Sequence, residues 1–413
     1  METPYNSKDK CCGCGACLRV CPKDAISFRK DLDGFVYPKI DSSLCIDCGA
    51  CVKKCDFGKT KNSHNSVSPM ALAFVNSNKD ALHGSASGGA FSALAKHVLD
   101  NGGVVYGASW GKGMKPEHAR IADWSDISRV QGSKYVQSDL TPILSKLKQD
   151  VSEGSGVLFS GTPCQCAAVR SLFGRKTPDN LICVELICHG VPSSKLFLDF
   201  VEYLEVKVNG EIVDLRFRDK NRGWGALLAV DFRTSDGKVR TRYFKPEEVY
   251  YYYYYFYQGM FFRESCYSCP YAKRERYSDW TIGDFWGAAK YCENIDSSKG
   301  VSVIIASTDK GISLVNELRN DGVIKEVPMD DVVRENGQLV HPSAKPDCYN
   351  ELMAEYRSLG AAAFASKFEK NNWKLVFKGR LKRSIPLWLK QAIHSVVSRS
   401  WRRARSEASR LGV

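Results

Sequence analysis

Hydrophobic and polar positions change rhythm several times along this chain. Residues 70–75 (MALAFV) form a short apolar run of the length of a buried strand. Ser87, Gly88 and Gly89 then open a helix in which Phe91, Leu94, Ala95, Val98 and Leu99 share one face, and residues 101–103 (NGG) stop it. Residues 104–109 predict the next strand. Further on, residues 157–160 predict a strand, 167–172 a helix and 181–187 another strand, with a further helix from Lys195. Two strands joined by a crossover helix run parallel, so their carboxyl ends meet at one sheet edge. Residues 277–287 (YSDWTIGDFWG) have a strand-like centre and predict a turn at Gly283 and Asp284. Residues 250–257 are eight consecutive aromatics with no base among them, which predicts a packed helix rather than a base-stacking platform.

Near the C-terminal end, Leu387, Trp388, Ala392, Ile393, Val396, Val397 and Trp401 recur at helical spacing beside Lys390, Arg399, Arg402, Arg403 and Arg405. Three uses fit such a helix: lying on an anionic membrane surface, docking a partner protein, or packing on the body. The pattern as a whole predicts a mixed fold, α+β with α/β parts. A small ferredoxin module (1–60) precedes an α/β body in two regions (69–150 and 151–340) and a basic helical tail (374–413). Residues 59–68 are polar and aperiodic and read as a linker.

Charge sharpens this division. The formal net charge is +13, yet from residue 374 onward eleven Lys and Arg face a single acid, Glu407. The preceding residues carry 48 bases and 45 acids, so the body is nearly neutral and the total is no nucleic-acid signature. No apolar run is long enough to span a bilayer, and the polar start METPYNSKDK lacks an apolar signal core. A cytoplasmic protein is expected, with peripheral contact at the inner membrane surface through the tail. Disulfides are rare in that compartment, so the seventeen cysteines point to metal.

Cys11, Cys14, Cys17 and Cys21 stand as C-x2-C-x2-C-x3-C, and Cys45, Cys48, Cys51 and Cys55 repeat the spacing. This is the two-cluster bacterial ferredoxin pattern, in which the fourth cysteine of each run serves the other cluster. It assigns Cys11, Cys14, Cys17 and Cys55 to one [4Fe–4S] cluster, and Cys45, Cys48, Cys51 and Cys21 to a second. Zinc knuckles are the competing reading, but no histidine lies in this stretch. Cys12 is surplus to the pattern and reads as a bystander.

A lone CxxC, Cys266 and Cys269, stands in ESCYSCP at residues 264–270. Cys164 and Cys188 each fall just past a predicted strand end, at one edge of the sheet, and complete a set of four thiols. Four thiolates suit a third [4Fe–4S] cluster or a structural zinc. Cys166 is a rival ligand, and Cys183 reads as core. The Ser87–Gly89 loop suits a phosphate at a helix start, or a tight turn that needs glycine.

Seven motifs now stand in order behind the ferredoxin pattern. They are SGG (87–89), GSKY (132–135), SGTPCQ (160–165), CHGVPS (188–193), FRDKNRGW (217–224), SCYSCPY (265–271) and DWTIGDFWG (279–287). In this order they resemble the family of coenzyme F420 hydrogenase/dehydrogenase beta subunits, over about residues 8–310. The resemblance implies FAD and one [4Fe–4S] cluster in the body, the latter on Cys164, Cys188, Cys266 and Cys269. It implies electron or hydride exchange between the flavin and coenzyme F420, another organic substrate or a partner redox protein. Ser87, Gly88, Gly89, Lys134 and Tyr135 carry over as flavin contacts. Gly161, Thr162, Pro163, Gly283 and Asp284 join them as candidate cofactor-binding residues. No catalytic acid or base is assigned. An enzyme with its own substrate, an electron-transfer subunit of a larger complex and a zinc-braced binding module remain the three functional readings.

Overall fold

The computed structural model describes residues 3–55, 57, 67–174, 176–292 and 295–386. The N-terminal module is built around its cysteines. Helices Ala16–Arg19 and Ala50–Lys54 carry Cys17 and Cys51, each entered through a glycine in the left-handed region, Gly15 and Gly49. Strands β1 (Ile26–Lys30) and β2 (Val36–Ile40) pair antiparallel, with Ile26 opposite Ile40. Those two isoleucines and Cys17 make a very small core, fringed by Cys21, Cys45 and Cys51. So small a core leaves bound metal as the main source of cohesion. Three glycines of the module face the body at close range. A side chain on Gly13 would meet the Arg263 guanidinium, one on Gly15 would meet Thr141, and one on Gly34 would overlap Lys195.

The body is organised by one eight-stranded sheet. Its strands are β3 (Met70–Asn76), β4 (Val104–Trp110), β5 (Pro116–Ile121), β6 (Val157–Gly161), β7 (Leu181–Leu186), β11 (Trp280–Asp284), β12 (Ser302–Ala306) and β13 (Gly322–Glu326), in the order β13-β3-β12-β11-β7-β6-β4-β5. Strands from residues 69–150 and from 151–340 therefore interleave in one sheet. The central four, β11, β7, β6 and β4, run parallel. The βαβ unit is present as expected, β6 to helix Pro163–Ser171 to β7, with β6 and β7 adjacent. Every residue of β6 and of β12 is buried, as befits strands covered on both faces.

Gly283 and Asp284 do not form the expected turn. They end β11, opposite Val303 and Ser302 of β12. A side chain on Gly283 would press on Ile187, so the glycine serves close packing beside a neighbouring strand.

A second sheet, β8 (Glu211–Arg216), β9 (Leu228–Arg233) and β10 (Val239–Phe244), is antiparallel. It shares an aromatic core with helix Ser194–Val208 and the tyrosine run. That run is a wide π-type turn, Tyr250–Tyr254, followed by one short α-turn, Tyr255–Tyr257. Tyr251, Tyr252 and Tyr253 are all buried, so the segment packs on several sides and not on one helical face. Tyr252 stacks on Phe200 at 4.7 Å and donates to the Tyr135 carbonyl at 2.8 Å.

Helix Trp373–Ser384 begins the basic tail. Arg383 pairs with the buried carboxylate of Glu248 at 2.9 Å, and Lys382 with Glu247 at 2.7 Å. Its exposed side presents Trp373, Phe377 and Leu381 at four-residue spacing. The helical pattern expected from Leu387 onward, and most of the 59–68 linker, lie outside the described residues. Among the described residues no helix is long and apolar enough to cross a membrane.

Candidate functional site

The carboxyl ends of β6, β7 and β11 bring the chemistry together. Thr162 caps helix Pro163–Ser171, and the Gln165 side chain accepts from the Thr162 amide at 3.0 Å. This box fixes the first turn, where Cys164 sits. Cys188 follows the end of β7, and Cys266 lies in the turn Glu264–Cys266. Cys164, Cys188, Cys266 and Cys269 line one cleft with about 710 Å³ of empty space, part of it open to solvent. A second cleft, of about 390 Å³, is lined by Cys11, Cys14, Cys17 and Cys55. Cys12 and Phe57 line both, so the two clefts share a wall. The remaining module cysteines gather elsewhere: Cys51 feels the charges of Cys21 and Cys45, and Cys48 is exposed.

The thiols of the larger cleft act on one another. Burial, with Cys266, Cys164 and Cys269 nearby, pushes Cys188 well above its ordinary value. Burial and the Cys164 charge push Cys266 up to about 12 and Cys269 up to about 11. Cys164 is held down to about 7, chiefly by a hydrogen bond from Cys12. Four half-buried thiols whose charges repel are a donor set that cationic iron would relieve. Among the described residues no three His, Cys, Asp or Glu side chains stand close enough to share a single metal ion. A four-iron cubane does not need that closeness, because each thiolate takes a different iron. The cysteines therefore fit a cluster by chemistry and by the space between them.

Cys166 turns away from this cleft. Its Sγ faces the Val184 carbonyl at 3.5 Å, inside a core with Cys183. Cys12, expected to be a bystander to the ligand pattern, lies between the clefts and lines both, near Cys14 and Cys164. His189 lines the larger cleft, and burial holds it below its ordinary value.

Buried charges support the cysteine loops. Glu185 on β7 is fully buried and accepts from Arg276 at 2.5 Å and from Ser278 and Thr281 at 2.9 Å each. Arg276 also donates to the Tyr271 and Lys273 carbonyls at 2.9 Å, tying down the loop after Cys269. Arg263 donates to the Cys11 carbonyl at 2.8 Å, and thereby joins the module to the body. Sequence reasoning missed all three, because nothing in a sequence separates a buried Arg or Glu from a surface one. The only clue was position, since Arg263 and Arg276 flank the CxxC.

The expected flavin contacts divide into two groups. Tyr135 and Asp284 meet at Arg218, whose Nη1 lies 3.3 Å from the Tyr135 hydroxyl and 2.7 Å from Asp284. Trp224 and Trp286 flank the same guanidinium at 5.5 and 5.4 Å. Lys220 donates to the Ser87 carbonyl at 2.5 Å, and burial pushes it down to about 7. Arg218 Nη2 and Asp284 Oδ1 are buried without a partner among the described residues. Such orphans fit a polar group of a bound cofactor. The second group has structural duties. Lys134 turns to the Arg129 and Gln131 carbonyls at 3.1 and 2.6 Å. A side chain on Gly88 would overlap the backbone of Phe74 and Ser302, and Gly89 sits at φ +86° at the start of helix Ala90–Asp100. Gly161 ends β6 against Phe159 and Gln165, and Thr162 and Pro163 begin the next helix.

Comparison with known proteins places the chain. Residues 10–59 match the 4Fe-4S dicluster domain. Residues 72–148 match the N-terminal part, and residues 154–332 the C terminus, of the coenzyme F420 hydrogenase/dehydrogenase beta subunit. The chain belongs to the family of coenzyme F420 hydrogenase/dehydrogenase beta subunits. It adds to them an iron–sulfur domain of the dicluster kind, and the family is one of oxidoreductases that transfer electrons. It is 26% identical over 246 residues to the F(420)H(2) dehydrogenase protein designated with the letter F in Methanosarcina mazei, which is one subunit of that dehydrogenase. That match covers 56% of this chain and 66% of the relative, so the chain spans just under two thirds of the relative's length. A chain of the F420-reducing [NiFe] hydrogenase complex from Methanosarcina barkeri aligns with a TM-score of 0.42 at 20% identity, over 73% of this chain and 91% of that one.

Proposed function

We propose that this chain is an FAD-dependent iron–sulfur oxidoreductase. It passes electrons between ferredoxin-type clusters and FAD, and from FAD to coenzyme F420 or another organic substrate. Cys11, Cys14, Cys17 and Cys55 hold one [4Fe–4S] cluster, Cys21, Cys45, Cys48 and Cys51 a second, and Cys164, Cys188, Cys266 and Cys269 a third. When bound, the flavin supplies two-electron chemistry and the clusters supply one-electron exchange. The chain's own residues do the rest. Residues 1–60 present the exposed Cys48 to an outside electron carrier. Cys12 and Phe57 close the wall between the two clefts and keep water out of it. Arg218, Asp284 and Tyr135 orient the flavin, and Ser87, Gly88, Gly89, Lys134, Gly161, Thr162, Pro163 and Gly283 shape its surroundings.

The observation that carries this reading is the shared wall. Two clefts, each lined by four cysteines of its own and by the shared Cys12, lie side by side across the junction of module and body, which suits a relay. A second reading is an electron-transfer subunit that works only inside a larger complex, in keeping with the relative that is named a dehydrogenase subunit. Peripheral membrane contact is part of the proposal, through Trp373, Phe377, Leu381 and the basic tail.

Iron, sulfide and flavin content of anaerobically purified protein tests the core of it. About twelve irons with one FAD support three clusters, whereas about eight irons with one zinc remove the third cluster from the path. Absence of flavin refutes the flavoprotein reading. Turnover of an organic substrate by the purified chain alone separates the enzyme from the subunit.

A further inference from the structure

Arg263 has no exposed surface, and no Asp or Glu among the described residues forms an ion pair with it. A buried charge without an opposite charge is costly, so something anionic is expected nearby. Its partners are neutral. Nε donates to the Cys11 carbonyl and Nη2 to the Val36 carbonyl, both at 2.8 Å, and Nη1 to Gln137 Oε1 at 3.1 Å. The guanidinium also lies 4.1 Å from the Tyr37 ring centroid.

The same residue is fixed to the other cysteine set through its backbone. The Cys266 amide donates to the Arg263 carbonyl at 2.8 Å, and the Arg263 amide donates to Val191 at 3.0 Å, just beyond Cys188. Its side chain lines the larger cleft. Arg263 thus touches both sets that share the wall, its side chain at the Cys11 carbonyl and its carbonyl at the Cys266 amide. Gln137 extends the arrangement, since its Nε2 donates to the Cys12 carbonyl at 2.8 Å.

We propose that Arg263 is a positioning residue shared by two iron–sulfur sites, holding the loops of Cys11 and Cys266 in register while its charge raises the reduction potential of both. This rests on the reading above that both cysteine sets hold four-iron clusters. The anionic thiolate-ligated clusters then supply the missing counter-charge. A fixed positive charge favours the reduced, more negative cluster, so the sign of the effect is set. One cation between two sites moves both potentials together and keeps the step between them small. The outer set, Cys21, Cys45, Cys48 and Cys51, is an internal control, because Arg263's side-chain bonds go to Cys11, Val36 and Gln137 and to none of these.

Redox titration followed by electron paramagnetic resonance, on the full chain purified anaerobically, tests this. In Arg263→Gln, two of three cluster signals should shift to lower potential by at least tenfold in the oxidised-to-reduced ratio, about 59 mV for one electron. The third should stay. Arg263→Lys keeps the charge but not the fork, so it should restore most of the potential while hydrogen exchange at residues 11–13 and 36 rises. Gln137→Glu places a carboxylate against the intact guanidinium and should lower the same two potentials without removing the fork. It serves where Arg263→Gln fails to assemble its clusters. Equal shifts of all three signals, no shift, or no rescue by lysine overturns the proposal. Wild-type protein with two cluster signals and about eight irons overturns the three-cluster reading itself, before any variant is compared.

Discussion

Glu185 and Arg276 form an ion pair in which both side chains are essentially sealed from water, at 0% and 2% exposure. Removing one partner of such a pair strands the other charge and costs about 3–5 kcal/mol. The two halves are not equivalent. In Arg276→Met the Glu185 carboxylate keeps the hydroxyls of Ser278 and Thr281, and the Tyr271 and Lys273 carbonyls lose the guanidinium, Tyr271 keeping the Lys273 amide. In Glu185→Gln the amide oxygen still accepts from Thr281 and Arg276, the amide NH2 donates to the Ser278 hydroxyl, and Arg276 keeps its two carbonyls. Arg276→Met should therefore fall at the upper end of that range and Glu185→Gln below it. The double variant Glu185→Gln/Arg276→Met buries no charge and keeps both hydroxyl bonds. It should recover at least about half of the loss, since neutral replacement of a buried pair is often close to neutral. The assay is anaerobic denaturant unfolding of the four proteins, followed by circular dichroism and by the fluorescence of buried Trp280. A parallel iron determination should show Arg276→Met losing about four irons first, because the loop after Cys269 is the one released. A double variant no more stable than Arg276→Met would refute the reasoning, and so would Arg276→Met that unfolds like wild type.

Cys164→Ala should lose about four irons per chain, while Cys166→Ala should lose none, since its Sγ points to the Val184 carbonyl; metal analysis of both decides the ligand. His118 donates to Ser160 and accepts from Ser138, and its burial holds it down to about 4 against an ordinary 6.5. The unfolded chain therefore binds the proton first as pH falls, so this contribution is full above about 6.5 and shrinks toward about 4. By pH 5 the loss should be about 2 kcal/mol, read as the difference in unfolding free energy between wild type and His118→Gln over that range. The full chain should co-sediment with anionic vesicles at low salt and release as salt rises, and a chain cut after residue 372 should not; equal binding by both would end the membrane reading.

The legible parts of this molecule were those that depend on near neighbours in sequence. Cysteine spacing, the βαβ unit and the helix start at Ser87–Gly89 are local patterns, and the helix expected from Lys195 begins one residue earlier, behind the Ser193 cap. The turn expected at Gly283 and Asp284 failed because the pairing of β11 with β12 joins segments that no short window contains. The tyrosine run packs as expected, but on more than one face. Three adjacent tyrosines, Tyr251, Tyr252 and Tyr253, are buried through a widened turn, which a regular helical period does not provide for. Arg263, Arg276, Glu185 and Arg218 were invisible because composition prices a charged residue as surface until its partners are known. The place of Cys12 on the wall between the clefts was illegible because the ferredoxin pattern explains its neighbours without it.

The three glycines on the face of the module, Gly13, Gly15 and Gly34, bear on how freely such parts can be exchanged. All three sit at positive φ, which favours glycine whatever lies nearby, and the body uses the space this leaves. Here the body presses Arg263, Thr141 and Lys195 into the spaces where side chains would be. A soluble ferredoxin grafted in place of residues 1–60 would bring the right cysteines and the wrong outline, and would stand off from the body by the width of its extra atoms. Electron transfer falls away steeply with distance, so the fit of this seam, as much as the clusters on either side, would decide whether a hybrid conducts.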